Sequence, residues 1–430
     1  MERKTHWSAL LPMGCKRHSV TLTLFKDNSF FCKITYLCVV LKAFKYRLTP
    51  TEEQATLINK HIGSARFVYN LALEVKQSAY AGNRVHLNCF DLIKQLPDLK
   101  KECTWLKEIN SQSLQQPIRN LDNAFTRFFK GHGNFPKFKK KANGGSFNIP
   151  QNVLLEAGKL SIPKFKNGID IVLHRPIKGE IRQATISRTP TGKYFVSILC
   201  ETGEANKKAK PVKEKTTVGI DLGIKDFIVA SDGQTFDNPK FLRKAQSRLK
   251  FVQRKFSKHK GKRTKHRLAV LHEKVANQRK DFLHKVSSEL VKNHNSIAIE
   301  TLQVANMLKN HKLAMSIQDA GWGMFVDFLK YKAEWYGVNI LEIGTFEPSS
   351  KLHNKCGYIN KELTLADREW LCPKCSEVVL RDVNAAINIK NFALKNHLSV
   401  ERRFKNRGEL PTLVGVLIPE AHPIAFGVGG

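Results

Sequence analysis

Four residues in the last quarter of the chain have the spacing of a zinc site. His353 and Cys356 form one pair, and fifteen residues separate it from the pair Cys372 and Cys375. Two such pairs are typical of a zinc ribbon, in which one imidazole and three thiolates coordinate the ion tetrahedrally. Because protein ligands fill all four positions, we predict a structural rather than a catalytic Zn²⁺. The alternative is that these residues are unliganded and lie in loops.

Three carboxylates occur at apolar segments in the second half of the chain. Asp221 lies in the apolar run 217–223, and Glu300 ends the apolar run 296–300. Asp382 opens a segment with the apolar spacing of a helix that packs on a sheet. A carboxylate on a buried strand is costly unless its charge is compensated. Taken by itself, Asp221 is more simply explained as a turn cap or as the partner of a lysine.

Together, the three carboxylates predict a metal site. Three acids can hold two Mg²⁺ ions roughly 4 Å apart, where the ions activate a water molecule and stabilise the charge that builds on a phosphodiester. We therefore assign Asp221, Glu300 and Asp382 as candidate catalytic residues and ligands, with Mg²⁺ (two ions) or Mn²⁺ as the cofactor.

Two basic segments carry the candidate nucleic-acid contacts. The segment 240–285 has 17 Lys or Arg residues against two acidic ones, and its apolar spacing predicts a helical hairpin interrupted at Gly261. One basic face of a hairpin can follow a phosphate backbone, although a solvated face is the alternative. In the segment 131–145, lysines alternate with Phe135 and Phe138, which suits either a backbone beside stacked bases or a solvated loop. The candidate contacts are Lys137, Lys139, Lys140, Arg254, Lys255, Lys258, Arg263, Lys265, Arg267 and Arg279.

The composition agrees with a globular protein that binds a polyanion. The 430 residues include 72 Lys or Arg and 37 Asp or Glu, for a formal net charge of +35, yet 42% are hydrophobic and can form a core. Nine cysteines, an odd number, do not fit a secreted disulfide framework. The apolar stretch 30–44 is broken by Lys33 and Lys42. We therefore expect a cytoplasmic, nucleoid-associated protein with no membrane partner.

Shifts in composition and period divide the chain into segments that position these groups. A helix is predicted to begin with Thr49 as the cap and Pro50 at the first helical position. The predicted segments are 1–40, a poorly structured extension or residues before the true start codon; 41–205, a small antiparallel barrel or sheet with a helical insert at about 49–135; 206–216, a linker; 217–347, an α/β region that includes the hairpin 240–285; 348–376, the zinc ribbon; 377–395, the rest of the α/β region; and 396–430, a flexible tail.

The order of the motifs resembles the TnpB family of insertion-sequence proteins. The motifs run Gly219-Ile-Asp-Leu-Gly223, Ile299-Glu-Thr-Leu302, Asp319-Ala-Gly-Trp-Gly323, Pro348-Ser-Ser-Lys351, the zinc ribbon and Arg381-Asp-Val-Asn-Ala-Ala386. The similarity covers about residues 41 to 395 and includes Phe135-Pro-Lys-Phe-Lys139. TnpB proteins are related to miniature type V CRISPR effectors.

The resemblance implies an α/β fold in which an RNase H-like (RuvC) nuclease domain contains an inserted zinc ribbon. A small β-barrel (wedge) with an inserted helical recognition region would precede it. Asp221, Glu300 and Asp382 match the catalytic acids of the family. The implied activity is cleavage of target double-stranded DNA that pairs with a guide RNA from the element end, beside a short flanking motif.

The chain departs from the family pattern at three positions, and two other functions stay open. The family usually has cysteine where His353 stands, glycine where Ser376 stands and aspartate where Leu380 stands. Imidazole can replace thiolate on zinc, whereas Leu380 leaves the activity of this copy open. The chain could instead be a transposase that acts directly on element ends, or a catalytically silent nucleic-acid-binding regulator of transposition.

Overall fold

The computed structural model describes residues 39–141, 144–205, 207–345, 347–364 and 366–406. The chain divides after Ala205 into two compact units. The predictions for residues 1–38 and for the tail beyond residue 406 lie outside the described residues. None of the helices in the described ranges combines the length and the apolar character that a membrane span requires.

A seven-stranded antiparallel sheet forms the centre of the first unit. Its strands are β1 (Val39–Leu48), β2 (Gly145–Ile149), β3 (Leu154–Glu156), β4 (Lys159–Ser161), β5 (Ile169–Val172), β6 (Glu180–Arg188) and β7 (Tyr194–Ala205). In space they follow the order β2-β6-β7-β1-β5-β4-β3, and every neighbouring pair is antiparallel. β2 and β3 are the two edge strands of this order and are not neighbours of each other, so closure of the sheet into a barrel stays a prediction.

The first helix, α1 (Glu52–Asn83), begins two residues later than predicted. Its cap is Thr51, whose side-chain oxygen accepts a hydrogen bond from the Gln54 amide at 3.3 Å, while the Gln54 side chain accepts one from the Thr51 amide at 3.1 Å. The expected cap Thr49 instead donates its amide to the Asp170 carbonyl at 2.9 Å. Thr51 rather than Thr49 is therefore the cap, because the backbone of Thr49 is hydrogen-bonded to β5.

Three further helices complete a helical insert between β1 and β2. They are α2 (Cys89–Lys94), α3 (Leu96–Glu102) and α4 (Ser111–Phe129), and a 3₁₀ turn covers Thr104–Glu108. Pro117 lies inside α4, beyond its first turn. Such a position costs about 3 kcal/mol in a helix interior. Burial of the flanking Leu114, Ile118 and Leu121 against α1 offsets that cost.

The second unit is built on a five-stranded mixed sheet. Its strands are β8 (Thr217–Leu222), β9 (Asp226–Ala230), β10 (Thr235–Asp237), β11 (Ser296–Glu300) and β12 (Asn339–Ile343). They follow the order β10-β9-β8-β11-β12. The first three strands pair antiparallel, whereas β8, β11 and β12 are parallel. The carboxyl ends of β8 and β11 therefore meet at one edge of the sheet.

Helices cover both faces of this sheet. They are α5 (Phe241–His259), α6 (Lys262–Asn293), α7 (Val304–Met307), α8 (Ala314–Ala320), α9 (Trp322–Tyr336) and α10 (Arg381–Asn406). Leu283 of α6, Ile317 of α8 and Phe325 of α9 belong to the core on one face. On the other face, Ile389 and Ala393 of α10 pack against β11 and β12.

The basic segment forms the predicted helical hairpin, with α5 and α6 joined at Lys260 and Gly261. The start of α5 is held by Asp319, whose carboxylate accepts hydrogen bonds from the amides of Leu242 at 2.9 Å and Arg243 at 3.1 Å. A carboxylate at a helix N-terminus accepts hydrogen bonds from the free amides of the first turn and interacts favourably with the positive end of the helix dipole. The hairpin is thus anchored to α8.

The ribbon and the final helix extend beyond their predicted bounds. Strands β13 (Glu369–Leu371) and β14 (Val378–Leu380) form an antiparallel pair, and α10 follows β14 directly. The ribbon hairpin therefore continues past residue 376. Because α10 runs to Asn406, residues 396–406 are helical, and the prediction that they are part of a flexible tail is wrong.

The predicted linker 206–216 is bound to the second unit where it is described. The Lys210 amide donates to the Gly337 carbonyl at 3.0 Å, and its ammonium donates to Asn295 at 2.9 Å. A 3₁₀ turn at Glu214–Thr216 then leads into β8. Residues 207–216 are therefore part of the α/β unit.

Candidate active site and zinc ribbon

The three candidate carboxylates line one cavity of about 980 Å³ in the second unit. Asp221 comes from β8, Glu300 from the end of β11, and Asp382 from the first turn of α10. In the parallel pairing of β8 with β11, Ile220 lies opposite Ile299, so the next residue of each strand is the acid. The sheet register thus places two of the acids side by side.

The third acid comes close because α10 lies directly on β8 at Gly219. A Cβ at Gly219 would lie 2.1 Å from the Ala386 carbonyl oxygen and 2.7 Å from the Lys390 nitrogen. Glycine is therefore required for this approach. Asp382 is four residues before Ala386 and lies on the same face of the helix, so the contact that needs Gly219 also sets the position of Asp382.

The cavity has an excess of negative charge on half-buried side chains at its acidic end. Burial and the nearby charges of Asp382 and Glu300 raise the pKa of Asp221 to about 7. Burial also raises the pKa of Glu300. Shifts of this direction mean that the ionised acids lack a sufficient positive partner. A divalent cation would supply that charge, and oxygen ligands suit Mg²⁺ and Mn²⁺, so the residues present fit such ions.

Two arginines form ion pairs with the carboxylate of Asp382. Arg368 Nη1 lies 2.9 Å from Asp382 Oδ2, and Arg381 Nη2 lies 3.1 Å from Asp382 Oδ1. Both arginines line the cavity. Sequence reasoning did not identify Arg368 or Arg381 as site residues, because an arginine in a basic chain carries no distinguishing signal before its neighbours are known.

The four predicted zinc ligands come together in the ribbon. One ligand atom from each of His353, Cys356, Cys372 and Cys375 lies within 4.8 Å of the others. The His353 Nδ1 atom lies 3.2 Å from Cys356 Sγ and 3.4 Å from Cys375 Sγ, and the sulfurs of Cys356 and Cys372 are 3.5 Å apart. A tetrahedral ion with Zn–S bonds of about 2.3 Å spaces its ligands by roughly 3.5–3.8 Å. The donor set and its spacing fit Zn²⁺.

A carboxylate lies behind the imidazole of the zinc site. His353 Nε2 is 3.8 Å from a carboxylate oxygen of Glu377, which also pairs with Lys355 at 2.9 Å. Metal-bound histidines commonly direct their second nitrogen to a carboxylate, which fixes the ring and strengthens it as a ligand. Glu377 is placed for this role, and no ligand motif in the sequence includes it.

Two buried asparagines of α10 fasten the ribbon to the α/β unit. Asn384 donates to the Leu352 carbonyl at 2.7 Å and accepts from the Asn354 amide at 2.9 Å. Asn388 donates to the Ser349 carbonyl at 2.8 Å. Since the same helix carries Asp382, these bonds couple the ribbon to the cavity. The signal in the sequence was two asparagines four residues apart in an apolar helix, which sequence reasoning passed over.

The predicted nucleic-acid contacts differ in their surroundings. Lys139 lies with its ammonium 3.9 Å from the Tyr69 ring centroid, and the Asn70 side chain binds its backbone. Arg279 is bound to Asp319, with its Nε 2.9 Å from the Asp319 carbonyl and its Nη2 3.5 Å from the carboxylate. Lys139 is nevertheless exposed, as are the remaining eight candidates: Lys137, Lys140, Arg254, Lys255, Lys258, Arg263, Lys265 and Arg267.

Comparisons with known proteins agree with this architecture. Residues 197–311 match the family OrfB_IS605, "Probable transposase"; residues 322–389 match the Cas12f1-like TNB domain; and residues 40–84 match the OrfB_IS605 helix-turn-helix domain. A "Putative RNA-guided DNA endonuclease" from Streptomyces pristinaespiralis is 38% identical over 81% of this chain and 89% of its own length. The "Putative RNA-guided DNA endonuclease InsQ" of Escherichia coli is 31% identical over 81% of this chain and 91% of its own length.

The fold is also similar to that of a protein solved in the "Cryo-EM structure of the Cas12f1-sgRNA-target DNA complex". The two proteins align with a TM-score of 0.54 and 12% identity over 82% of this chain and 99% of the other. A mixed α/β unit with a Cys₃His ribbon joined to it defines an insertion-sequence protein of the OrfB class. The similarity over nearly the whole length of its relatives shows that the chain belongs to the TnpB family.

Proposed function

We propose that this protein is an RNA-guided DNA endonuclease of a transposable element. The observation that carries the proposal is the convergence of Asp221, Glu300 and Asp382 on one cavity beside the zinc ribbon. Its relatives named as RNA-guided DNA endonucleases support it. The partners would be a guide RNA from the element end and target double-stranded DNA that pairs with it.

The order β10-β9-β8-β11-β12, with three antiparallel strands followed by parallel ones, supports an RNase H-like (RuvC) fold for the second unit. Asp221, Glu300 and Asp382 would hold two Mg²⁺ or Mn²⁺ ions. Such ions, when bound, activate a water molecule and stabilise the charge that develops on the phosphodiester. The chain itself positions the three carboxylates through the strand register and Gly219. Arg368 and Arg381 supply positive charge at the cavity.

The exposed basic residues would hold the nucleic acids by their backbones. Arg254, Lys255 and Lys258 lie exposed within two helical turns of α5. Replacement of all three by glutamine removes up to three phosphate contacts. The slope of log affinity against log salt concentration should then become shallower by up to about 3. Arg279 would act by holding α6 to Asp319, since its guanidinium is already bound.

The decisive experiment combines RNA sequencing with cleavage. The protein purified from cells that carry its flanking DNA should retain a discrete transcript from the element edge, and should cut matching DNA in Mg²⁺. Asp221→Ala should abolish cleavage while RNA binding persists, because the change removes a metal ligand and leaves the basic surface intact. Asp237→Asn, at an exposed acid on β10, is the matched control and should cleave normally.

A transposase that acts directly on element ends is the second candidate, since the matched family is described as a probable transposase. It predicts strand transfer without RNA. Strand transfer by protein that carries no RNA would favour it, and undiminished cleavage by Asp221→Ala would contradict both functions.

A further inference from the structure

The two arginines at Asp382 differ in how firmly they are held. The Arg381 guanidinium also donates to the carbonyls of Thr364 at 3.3 Å and Asp367 at 3.0 Å, which fixes it to the ribbon whatever Asp382 does. The Arg368 side chain is 46% exposed. Within the described chain, its guanidinium makes one hydrogen bond, to Asp382 at 2.9 Å. Arg368 can therefore leave Asp382 by rotation of its own side chain.

The ribbon delivers Arg368 to this position. Arg368 precedes β13, and its carbonyl accepts a hydrogen bond from the Arg381 amide at 2.9 Å, which continues the pairing of β13 with β14. Since α10 follows β14 directly, the backbone fixes Arg368 beside the first turn that carries Asp382. An intact ribbon thus keeps the guanidinium within reach of the carboxylate.

We propose that Arg368 competes with divalent cations for Asp382 and so restricts metal loading in the absence of nucleic acid. This inference rests on the proposed function, because it assumes that Asp382 is a metal ligand. Arg368 and Arg381 each take one oxygen of the carboxylate, and a cation needs one of these oxygens. Of the two, Arg368 is the one that can be displaced.

A nucleic-acid phosphate in the cavity would give the guanidinium a second anion. Arginine binds phosphate and carboxylate with the same fork of donors, so a substrate phosphate can draw Arg368 from Asp382. The cations and the nucleic acid would then load together. Protein without nucleic acid in the cavity would hold its cations weakly, and it would therefore be poorly active until a strand is bound there.

The test measures cation affinity and needs no activity. Zinc-loaded protein without nucleic acid is titrated with Mn²⁺, and free Mn²⁺ is followed by electron paramagnetic resonance. Arg368→Gln should bind Mn²⁺ about three- to fivefold more tightly than the parent, since a partly exposed ion pair is worth up to about that factor. Arg368→Lys keeps the positive charge but lacks the planar guanidinium donors, so its Mn²⁺ affinity should lie between those of the parent and Arg368→Gln.

Lys225→Gln is the matched control for the change of charge. Lys225 lines the same cavity, and the structure records no ion pair for it among the described residues. Its replacement should alter Mn²⁺ affinity less than Arg368→Gln does. In an Asp382→Asn background the effect of Arg368→Gln should vanish, because the competition needs the carboxylate.

The outcomes separate this inference from the proposed function. Unchanged zinc content would show that the ribbon of each variant is folded. Mn²⁺ binding that depends on Asp221 but is no tighter in Arg368→Gln, and no tighter in Arg368→Lys, would overturn the inference alone. Absence of any Mn²⁺ binding that Asp221→Asn removes would overturn the proposed function, and this inference with it.

Discussion

Replacement of Asp221 by asparagine should stabilise the protein when no divalent cation fills the cavity. The pKa of Asp221 is raised from 3.8 to about 7, chiefly by burial and then by Asp382 and Glu300. At pH 8 the Asp221 carboxylate is ionised in both the folded and the unfolded chain. Only in the folded chain is the charge held in an unfavourable environment, which lowers the free energy of unfolding. About three pKa units at about 1.36 kcal/mol each give a cost of about 4 kcal/mol.

This figure is an upper bound, because Asp221 is only half-buried and the cavity admits water. The sign of the pH dependence follows from the raised pKa. Between about pH 4 and pH 7 the folded chain binds more protons at this site than the unfolded chain, so the parent loses stability as the pH rises through that window. Asp221→Asn has no such loss, and the two proteins should therefore converge at pH 4.

The assay is unfolding of zinc-loaded protein in buffer free of Mg²⁺ and Mn²⁺, at pH values from 4 to 8. Of the tryptophans in the described residues, Trp322, Trp335 and Trp370 lie in the second unit and Trp105 in the first, so the fluorescence change reports chiefly the unfolding of the second unit. Added Mg²⁺ should stabilise the parent more than the variant. Asp237→Asn is the control, and as an exposed substitution it should change stability by less than about 0.5 kcal/mol at every pH.

A variant that is equally stable or less stable than the parent at pH 8 would refute the electrostatic reasoning. A constant difference at all pH values would refute it as well, since packing rather than charge would then explain the effect. A Mg²⁺ response of equal size in both proteins would show that Asp221 does not bind the ion.

Three further predictions concern Gly219, the zinc ribbon and Lys332 on α9. Gly219→Ala should destabilise the second unit by roughly 1–3 kcal/mol and reduce its stabilisation by Mg²⁺ in thermal unfolding, because the added methyl group forces α10 from β8. Glu377→Gln should raise the rate of zinc release to a chromogenic chelator by about tenfold. Release at the parent rate would show that Glu377 does not strengthen His353 as a ligand. Burial lowers the pKa of Lys332 to about 8, so the folded chain holds fewer protons there than the unfolded chain between about pH 8 and pH 10.5. Lys332→Met should abolish the resulting rise in stability over that window, and an unchanged pH profile would contradict the assignment.

Local patterns in the sequence predicted much of the secondary structure. Glu156-Ala-Gly158 and Thr189-Pro-Thr-Gly192 have residues typical of turns, and they form the tight turns between β3 and β4 and between β6 and β7. The helical hairpin was predicted from apolar spacing within the basic segment. These features depend on residues close in sequence, which is why they are predictable. The cap of α1 was misplaced because a bond from Thr49 to a distant strand decided between two threonines.

The residue types at the two sites came from the sequence, but their environment did not. Ligand spacing is a property of the chain, so the Cys₃His set could be proposed before any fold was known. The three acids were chosen because a carboxylate on an apolar segment needs compensation. Arg368, Arg381 and Glu377 could not be chosen in this way, since their importance lies in which oxygen or nitrogen they face.

What the sequence by itself determined is the chemistry available to this protein: carboxylates for cations, thiolates and an imidazole for zinc, and a large positive charge for a polyanion. Tertiary structure alone decided that β8 and β11 run parallel in register and that α10 lies on Gly219, which brings positions 221, 300 and 382 to one cavity. The physical reason is that spacing along a chain reports local geometry, whereas pairing between distant strands and the contacts of exposed arginines arise only when the whole core has packed.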